Sequence, residues 1–256
     1  MSSVIVDNQP IFYRLSANDL AGRRPPLLLI HGAGGTHMHW PAGLRRLPDW
    51  AVYALDLPGH GKSPGPGRDS IAGYCDALYG FVQALGLTRV VLAGHSMGGA
   101  IVQEFALRYP GRLAGLILVG TGARLRVAPA ILEGIRSDFP ATARTIADWV
   151  HDKNVPEQLK RIYVQRTLEN DPQVMYDDFY ACDHFDRRAE VASIATPALI
   201  VCGLNDVMTP SKFSEALAQS LPNARLALVP NAGHMVALEA PDVVTTAVAE
   251  FLRETA

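Results

Sequence analysis

Apolar residues in this chain come in short solid blocks separated by longer amphipathic ones. Leu27 to Ile30, Ala51 to Leu55, Val90 to Ala93 and Leu113 to Val119 are apolar throughout, as strands covered by helices on both faces must be. Helix-like segments at about residues 37 to 46, 70 to 85 and 97 to 109 lie between them. This strand-helix-strand rhythm predicts a mainly parallel sheet. Ahead of it, Val4 to Leu15, broken at Asp7-Asn8-Gln9-Pro10, reads as a short antiparallel hairpin that opens the sheet.

The rhythm stops after Gly120-Thr121-Gly122. From Ala123 to Ser193 there is no continuous apolar strand, and helix-like stretches occur around 128 to 138, 140 to 150, 156 to 169 and 172 to 184. Pro129, Pro140, Pro156 and Pro172 sit near their starts, where a missing N–H costs a helix little. Strand and helix then resume: Ala198 to Cys202, 211 to 219, Arg225 to Val229 and a closing helix at 241 to 253. The pattern predicts an α/β fold with an eight-stranded, mainly parallel sheet. Its core comprises residues 1–122 and 194–256, with a helical cap of residues 123–193 inserted after the sixth strand. Such an insertion overlies the carboxyl ends of the strands, where open α/β sheets bind ligands.

Composition narrows the setting. The 256 residues carry 23 basic and 25 acidic side chains, with no basic cluster beyond pairs such as Arg23-Arg24 and Arg187-Arg188. No affinity for nucleic acid or an anionic membrane surface is expected. The apolar runs are strand-sized, too short to span a bilayer, and the stretch from Met1 to Asp7 lacks the basic start and apolar core of a signal peptide. Cys75, Cys182 and Cys202 are odd in number and without metal-ligand spacing, so a reducing cytoplasm and packed thiols are expected.

The chemistry-bearing stretch is Gly94-His95-Ser96-Met97-Gly98-Gly99, between an apolar strand and a helix. A serine at the apex of a sharp glycine-flanked turn from strand to helix is a nucleophile elbow. A serine hydroxyl is weakly nucleophilic at neutral pH, so it needs a base, and the base needs an orienting acceptor. Asp206 follows the strand Ala198 to Cys202, and His234 follows the last strand; a parallel sheet delivers both to the edge that holds Ser96.

With His31-Gly32-Ala33-Gly34-Gly35, Asp56-Leu57-Pro58-Gly59-His60-Gly61-Lys62-Ser63, the elbow and these two loops in this order, the chain resembles the α/β-hydrolase fold family over essentially its full length. The resemblance implies a serine esterase or lactonase with Ser96 as nucleophile, His234 as general base and Asp206 as the carboxylate that orients the imidazole. It further implies that the backbone N–H groups of Ala33 and Met97 form the oxyanion hole. Asp56 is the rival acid, but its turn reads as structural; after Val119 the chain offers Gly120-Thr121-Gly122 and no carboxylate. His31 and His60 read as members of family turns, His95 as facing away from the serine, and His151 and His184 as cap residues. His37 and His39 have no third ligand near them in sequence, so no metal site and no cofactor are expected.

Relatives that displace halide or open epoxides carry aspartate at the elbow, so serine points to acyl transfer: hydrolysis of an ester, thioester or lactone by water. Some relatives with the same triad cleave carbon-carbon bonds or act as perhydrolases and non-haem peroxidases, although ring-fission hydrolases usually carry Gly-Pro-Gly where this chain has Ala33-Gly34-Gly35. Others serve as small-molecule receptors. The aromatic and sulfur side chains of the cap suggest a small to medium, largely apolar acyl substrate, with Trp40, Met97, Met235, Trp149 and Phe179 as candidate contacts.

Overall fold

The computed structural model describes residues 2–17 and 24–255. Met1 and Arg23, used in the reading of the amino terminus and of the basic pairs, lie outside the described residues. Strands β1 (Ser2–Val6) and β2 (Gln9–Ser16) form the opening hairpin. Its turn is only Asp7 and Asn8, at φ 48° and 61°. A two-residue hairpin turn of this kind has left-handed backbone at both central positions, which Asp and Asn tolerate. Gln9 and Pro10 therefore belong to the second strand, and Pro10 pairs with Ile5, which shortens the expected break.

Six further strands follow: β3 (Leu27–Ile30), β4 (Val52–Leu55), β5 (Val90–His95), β6 (Leu113–Val119), β7 (Ala198–Gly203) and β8 (Ala224–Val229). Among the described residues they make one eight-stranded sheet in the order β1-β2-β4-β3-β5-β6-β7-β8, parallel in every pairing from β4-β3 to β7-β8. The solid apolar blocks are explained by two cores. Leu28 and Ile30 point into one with helices α2 (Ile71–Ala84) and α3 (Met97–Arg108). Leu27 and Leu29 point into the other with α1 (Ala42–Arg45) and the carboxyl-terminal helix (Pro241–Thr255). A strand with no polar face is the price of being covered twice.

The helix expected over residues 37 to 46 is two pieces, a 3₁₀ turn at His37–His39 and α1. Pro41 divides them, because the residue before a proline is pushed out of the helical region; Trp40 is extended at φ −102°, ψ 139°.

Between β6 and β7 the chain forms α4 (Pro129–Ser137), α5 (Phe139–Val150), α6 (Glu157–Thr167) and α7 (Pro172–Asp183). Of these, α4, α5 and α7 share a third apolar cluster, Ile131, Ile135, Ile146, Val150, Met175 and Phe179, with Met235 from the loop after β8, and Tyr163 of α6 packs against it, so these helices lie over the carboxyl ends of the strands. Among the described residues the remaining α-helices are α8 (Ser211–Ser220), α9 (Val236–Glu239), which the sequence pattern does not reveal, and the carboxyl-terminal α10. Among the described residues no helix is long and apolar enough to cross a membrane.

Candidate active site

Ser96 joins β5 to α3 with φ 54° and ψ −116°, a conformation that a residue with a side chain holds only when its surroundings enforce it. The flanking glycines are that enforcement. A Cβ at Gly94 would lie 2.2 Å from the carbonyl oxygen of Gly98, and one at Gly98 would lie 2.3 Å from that of Ile30. The turn is further held by the Ser96 N–H donating to Val119 O at 2.9 Å and by Thr121 Oγ1 donating to Ser96 O at 2.9 Å. The Ser96 side chain does not cap α3, and the residue remains half-buried. Met97 is the first residue of α3, so its N–H has no partner inside the helix.

The glycine loop after β3 presses on this turn: a Cβ at Gly32 would meet the Ser96 Cβ at 3.0 Å. Residues between β6 and β7 grip its far side. Asp178 on α7 accepts the Gly34 N–H at 2.8 Å, and Asn170 Nδ2 donates to the Gly34 carbonyl at 3.0 Å. Asp178, wholly buried, also accepts from His60 Nε2 at 2.8 Å and from the Tyr74 hydroxyl at 2.5 Å.

His234 and Asp206 come from the loops after β8 and β7. His234 Nδ1 donates to Asp206 Oδ2 at 2.9 Å. A carboxylate can only accept, so the proton sits on Nδ1 and Nε2 is left as the acceptor. Asp206 also accepts the N–H groups of Met208 and Thr209 at 2.9 and 2.8 Å and the Thr209 hydroxyl at 2.8 Å. Burial opposes its ionisation, but His234 and the Thr209 donors outweigh that and hold its pKa below the usual carboxylate value.

Asp56 is spent differently. It accepts the backbone N–H and Nδ1 of His37 at 2.7 and 2.8 Å and the Lys62 N–H at 2.9 Å, tying together two loops. His31 Nε2 accepts the Leu57 N–H at 2.9 Å. His95 departs from the sequence reading: its buried ring packs 4.7 Å from that of His234 and its Nε2 donates to the His234 carbonyl at 2.9 Å. It ends β5 rather than lying in the turn, so its side chain crosses to the neighbouring loop. Among the described residues no group of three or more His, Cys, Asp or Glu could hold a metal.

Ser96 and His234 line one cavity of about 30 Å³, with Gly32 and Ala33 of the glycine loop. Met235 and Phe179 line it too. Trp40, Met97 and Trp149 do not: Trp40 packs with Leu27 and Leu29 in one core, Met97 lies wholly buried in the other, and Trp149 is exposed on α5. The residues of α5 that reach the cavity are Ile146 and Val150, four apart on the buried stripe that also carries Ala143 and Ala147. Helical periodicity carries that signal, whereas side-chain size points to Trp149. His39, His95, Tyr163 and Met208 complete the wall.

The buried imidazoles of His31, His60 and His95 and the half-buried one of His39 set a pH dependence. Burial, which strips water from the charged form, is the main reason that His31, His39 and His95 titrate below the ordinary value, His39 at about 4 and His95 at about 3. His60 is the reverse: burial pulls it down, but Asp178 outweighs burial and raises it. Unfolded, each titrates near ~6.5. As pH falls below ~6.5 the unfolded chain takes up protons that three folded imidazoles refuse, so stability falls by up to about 1.4 kcal/mol per pH unit for each. The His60 contribution is present below ~6.5 and is lost as pH rises through its raised value. The thermal midpoint should therefore be highest near neutrality and decline toward pH ~4 before Asp206 protonates. Calorimetry across that range checks this, and a flat midpoint down to pH ~4.5 would mean that these histidines are charged in the folded protein.

The sequence profile of the alpha/beta hydrolase fold family matches residues 25–241. The pimeloyl-acyl-carrier-protein methyl ester esterase of Neisseria meningitidis is 28% identical over 80% of this chain and 85% of that protein. The 2-hydroxymuconate semialdehyde hydrolase of Pseudomonas putida is 28% identical over 94% of this chain and 92% of that protein. Among solved structures, a thermophilic esterase from Thermogutta terrifontis matches with a TM-score of 0.87 and 27% identity, covering 99% of this chain and 98% of that one.

Proposed function

This chain belongs to the alpha/beta hydrolase fold family and is a hydrolase of the esterase class, and from that premise we propose that it cleaves a small to medium, largely apolar ester, thioester or lactone through an acyl-enzyme. The observation that carries the reading is that Ser96, in a strained turn, and His234, its Nδ1 tied to Asp206 at 2.9 Å, line one cavity. Nε2 of His234 takes the Ser96 proton as Oγ attacks the acyl carbon, and Asp206 stabilises the imidazolium. The backbone N–H groups of Ala33 and Met97 receive the negative charge on the carbonyl oxygen. His234 then protonates the leaving alcohol, thiol or ring oxygen, and a water attacks the acyl-enzyme by the same route in reverse. Acyl substrate and water suffice, with no cofactor.

On this reading residues 123–193 are the cap and residues 1–122 and 194–256 the core, the cap supplying the apolar wall through Ile146, Val150 and Phe179. The cysteines are buried free thiols, which fits a reducing compartment, and the compartment we assign is the cytoplasm.

A fluorophosphonate should label Ser96, and a panel of p-nitrophenyl esters should give many turnovers per enzyme, faster with apolar than with charged acyl groups. A single turnover followed by tight retention of the ligand would favour a receptor. The similarity to the Pseudomonas putida hydrolase keeps a second reading, carbon-carbon bond hydrolysis, and hydrolysis of 2-hydroxymuconate semialdehyde with no ester turnover would select it.

A further inference from the structure

The cavity at Ser96 is too small for the reaction it would serve. At about 30 Å³ it has room for roughly two water molecules at 10–15 Å³ of accessible space each, whereas ligand sites usually run to several hundred Å³. Beside it lies a groove of about 660 Å³, walled by Met38, Val155, Pro156, Leu159, Ile162 and Leu238. These include several of the largest exposed apolar side chains on the molecule, Met38 at 54% and Leu159 at 51%. Apolar surface gathered in one concavity marks a binding site more than scattered residues do.

Two side chains, His39 and Tyr163, belong to the walls of both spaces. Tyr163, on α6, stacks on His39 with ring centres 5.9 Å apart and planes inclined by 26°, and meets His151 edge-on at 5.1 Å and 90°. The ring pair forms a partition with Ser96 on one side and the groove on the other.

Building on the esterase reading, we propose that the groove is the subsite for an unbranched apolar arm of the acyl substrate, and that Tyr163 is the specificity-determining residue that limits how far that arm extends from Ser96. With the partition in place the acyl chain has only the small cavity, and short acyl groups are preferred. With the tyrosine ring removed, the carbonyl stays at Ser96 while the chain runs past His39 along Leu159 and Ile162. Each methylene that enters an apolar site contributes up to about fourfold in kcat/KM.

The test compares p-nitrophenyl esters from acetate to decanoate on the 256-residue chain. The wild type should favour acetate to butyrate. Tyr163→Ala should raise kcat/KM for octanoate relative to acetate by at least ~10-fold, Tyr163→Leu by less, and Tyr163→Phe should keep the wild-type profile. Adding Leu159→Asp to Tyr163→Ala should cancel the gain, because the charge lies in the groove and not beside the serine. A cooperative melting curve with a midpoint within a few degrees of wild type shows that each variant is folded. Ester hydrolysis by all variants with one shared chain-length profile would overturn the partition and leave the esterase reading intact, as would a gain that survives Leu159→Asp. No ester turnover by any variant, wild type included, would overturn the esterase reading and the partition with it.

Discussion

Replacing Ser96 by alanine should lower turnover on the best ester by about a millionfold and leave the thermal midpoint nearly unchanged. The two halves of this expectation have separate causes. Alanine keeps the Cβ that makes φ 54° uncomfortable, the hydroxyl does not cap α3, and the backbone bonds to Val119 and from Thr121 persist. Little that supports the fold is lost, and changes outside the core are commonly within about 0.5 kcal/mol. What goes is the atom that would bond to the acyl carbon. The remaining rate, about a thousandfold to ten-thousandfold above that in water, would come from the N–H groups of Ala33 and Met97. Steady-state turnover and a melting curve on the same preparation measure both halves. A folded variant with near-normal turnover would mean that the chemistry starts from another atom.

Asp206→Asn should cost about ten-thousandfold in kcat with a smaller loss of stability. The carboxylate accepts on both oxygens, from the Met208 and Thr209 N–H groups on one and from the Thr209 hydroxyl and His234 Nδ1 on the other. The two backbone donors will hold the asparagine's oxygen on their side, so its NH₂ faces His234. An amide NH₂ cannot accept the Nδ1 proton, the imidazole shifts to the other tautomer, and Nε2 no longer takes a proton from serine. Asp56→Asn is the internal comparison. It also has donors to lose, buried ones at His37 and a part-buried one at the Lys62 N–H, but they bind one loop to another, so the loss should register in the melting temperature. A larger fall in kcat from Asp56→Asn than from Asp206→Asn, both variants folded, would reassign the acid.

The strands were legible because burial on both faces leaves no room for polar residues, as in Leu27–Ile30 and Leu113–Val119. Asp206 and His234 were legible because a parallel sheet sends every loop after a strand to one edge, so order along the chain becomes neighbourhood in space. Pro41 was a readable boundary that amphipathic spacing across 37 to 46 obscured. Pocket contacts resisted because aromatic size says nothing of direction: Trp149 and Val150 are adjacent, and helical geometry alone turns one to solvent and the other to the cavity. Asp178 was out of reach altogether. Its partners Gly34, His60 and Tyr74 lie 144, 118 and 104 positions away, and no local pattern distinguishes a carboxylate that will be buried among them from one on a helix surface.

That distant carboxylate has a consequence for how such a protein can change over generations. Gly34, the residue next to Ala33, is held on its N–H by Asp178 and on its carbonyl by Asn170, both supplied by the stretch between β6 and β7. The helices over the sheet are therefore not an interchangeable module. A chimera that took this stretch from a homologue would inherit a new pocket and, unless it also brought an acid and an amide to these two spots, a slack loop beside the serine. Substitution within α5 and α6 leaves these two contacts in place, whereas wholesale exchange of the four helices removes both unless the incoming stretch restores them.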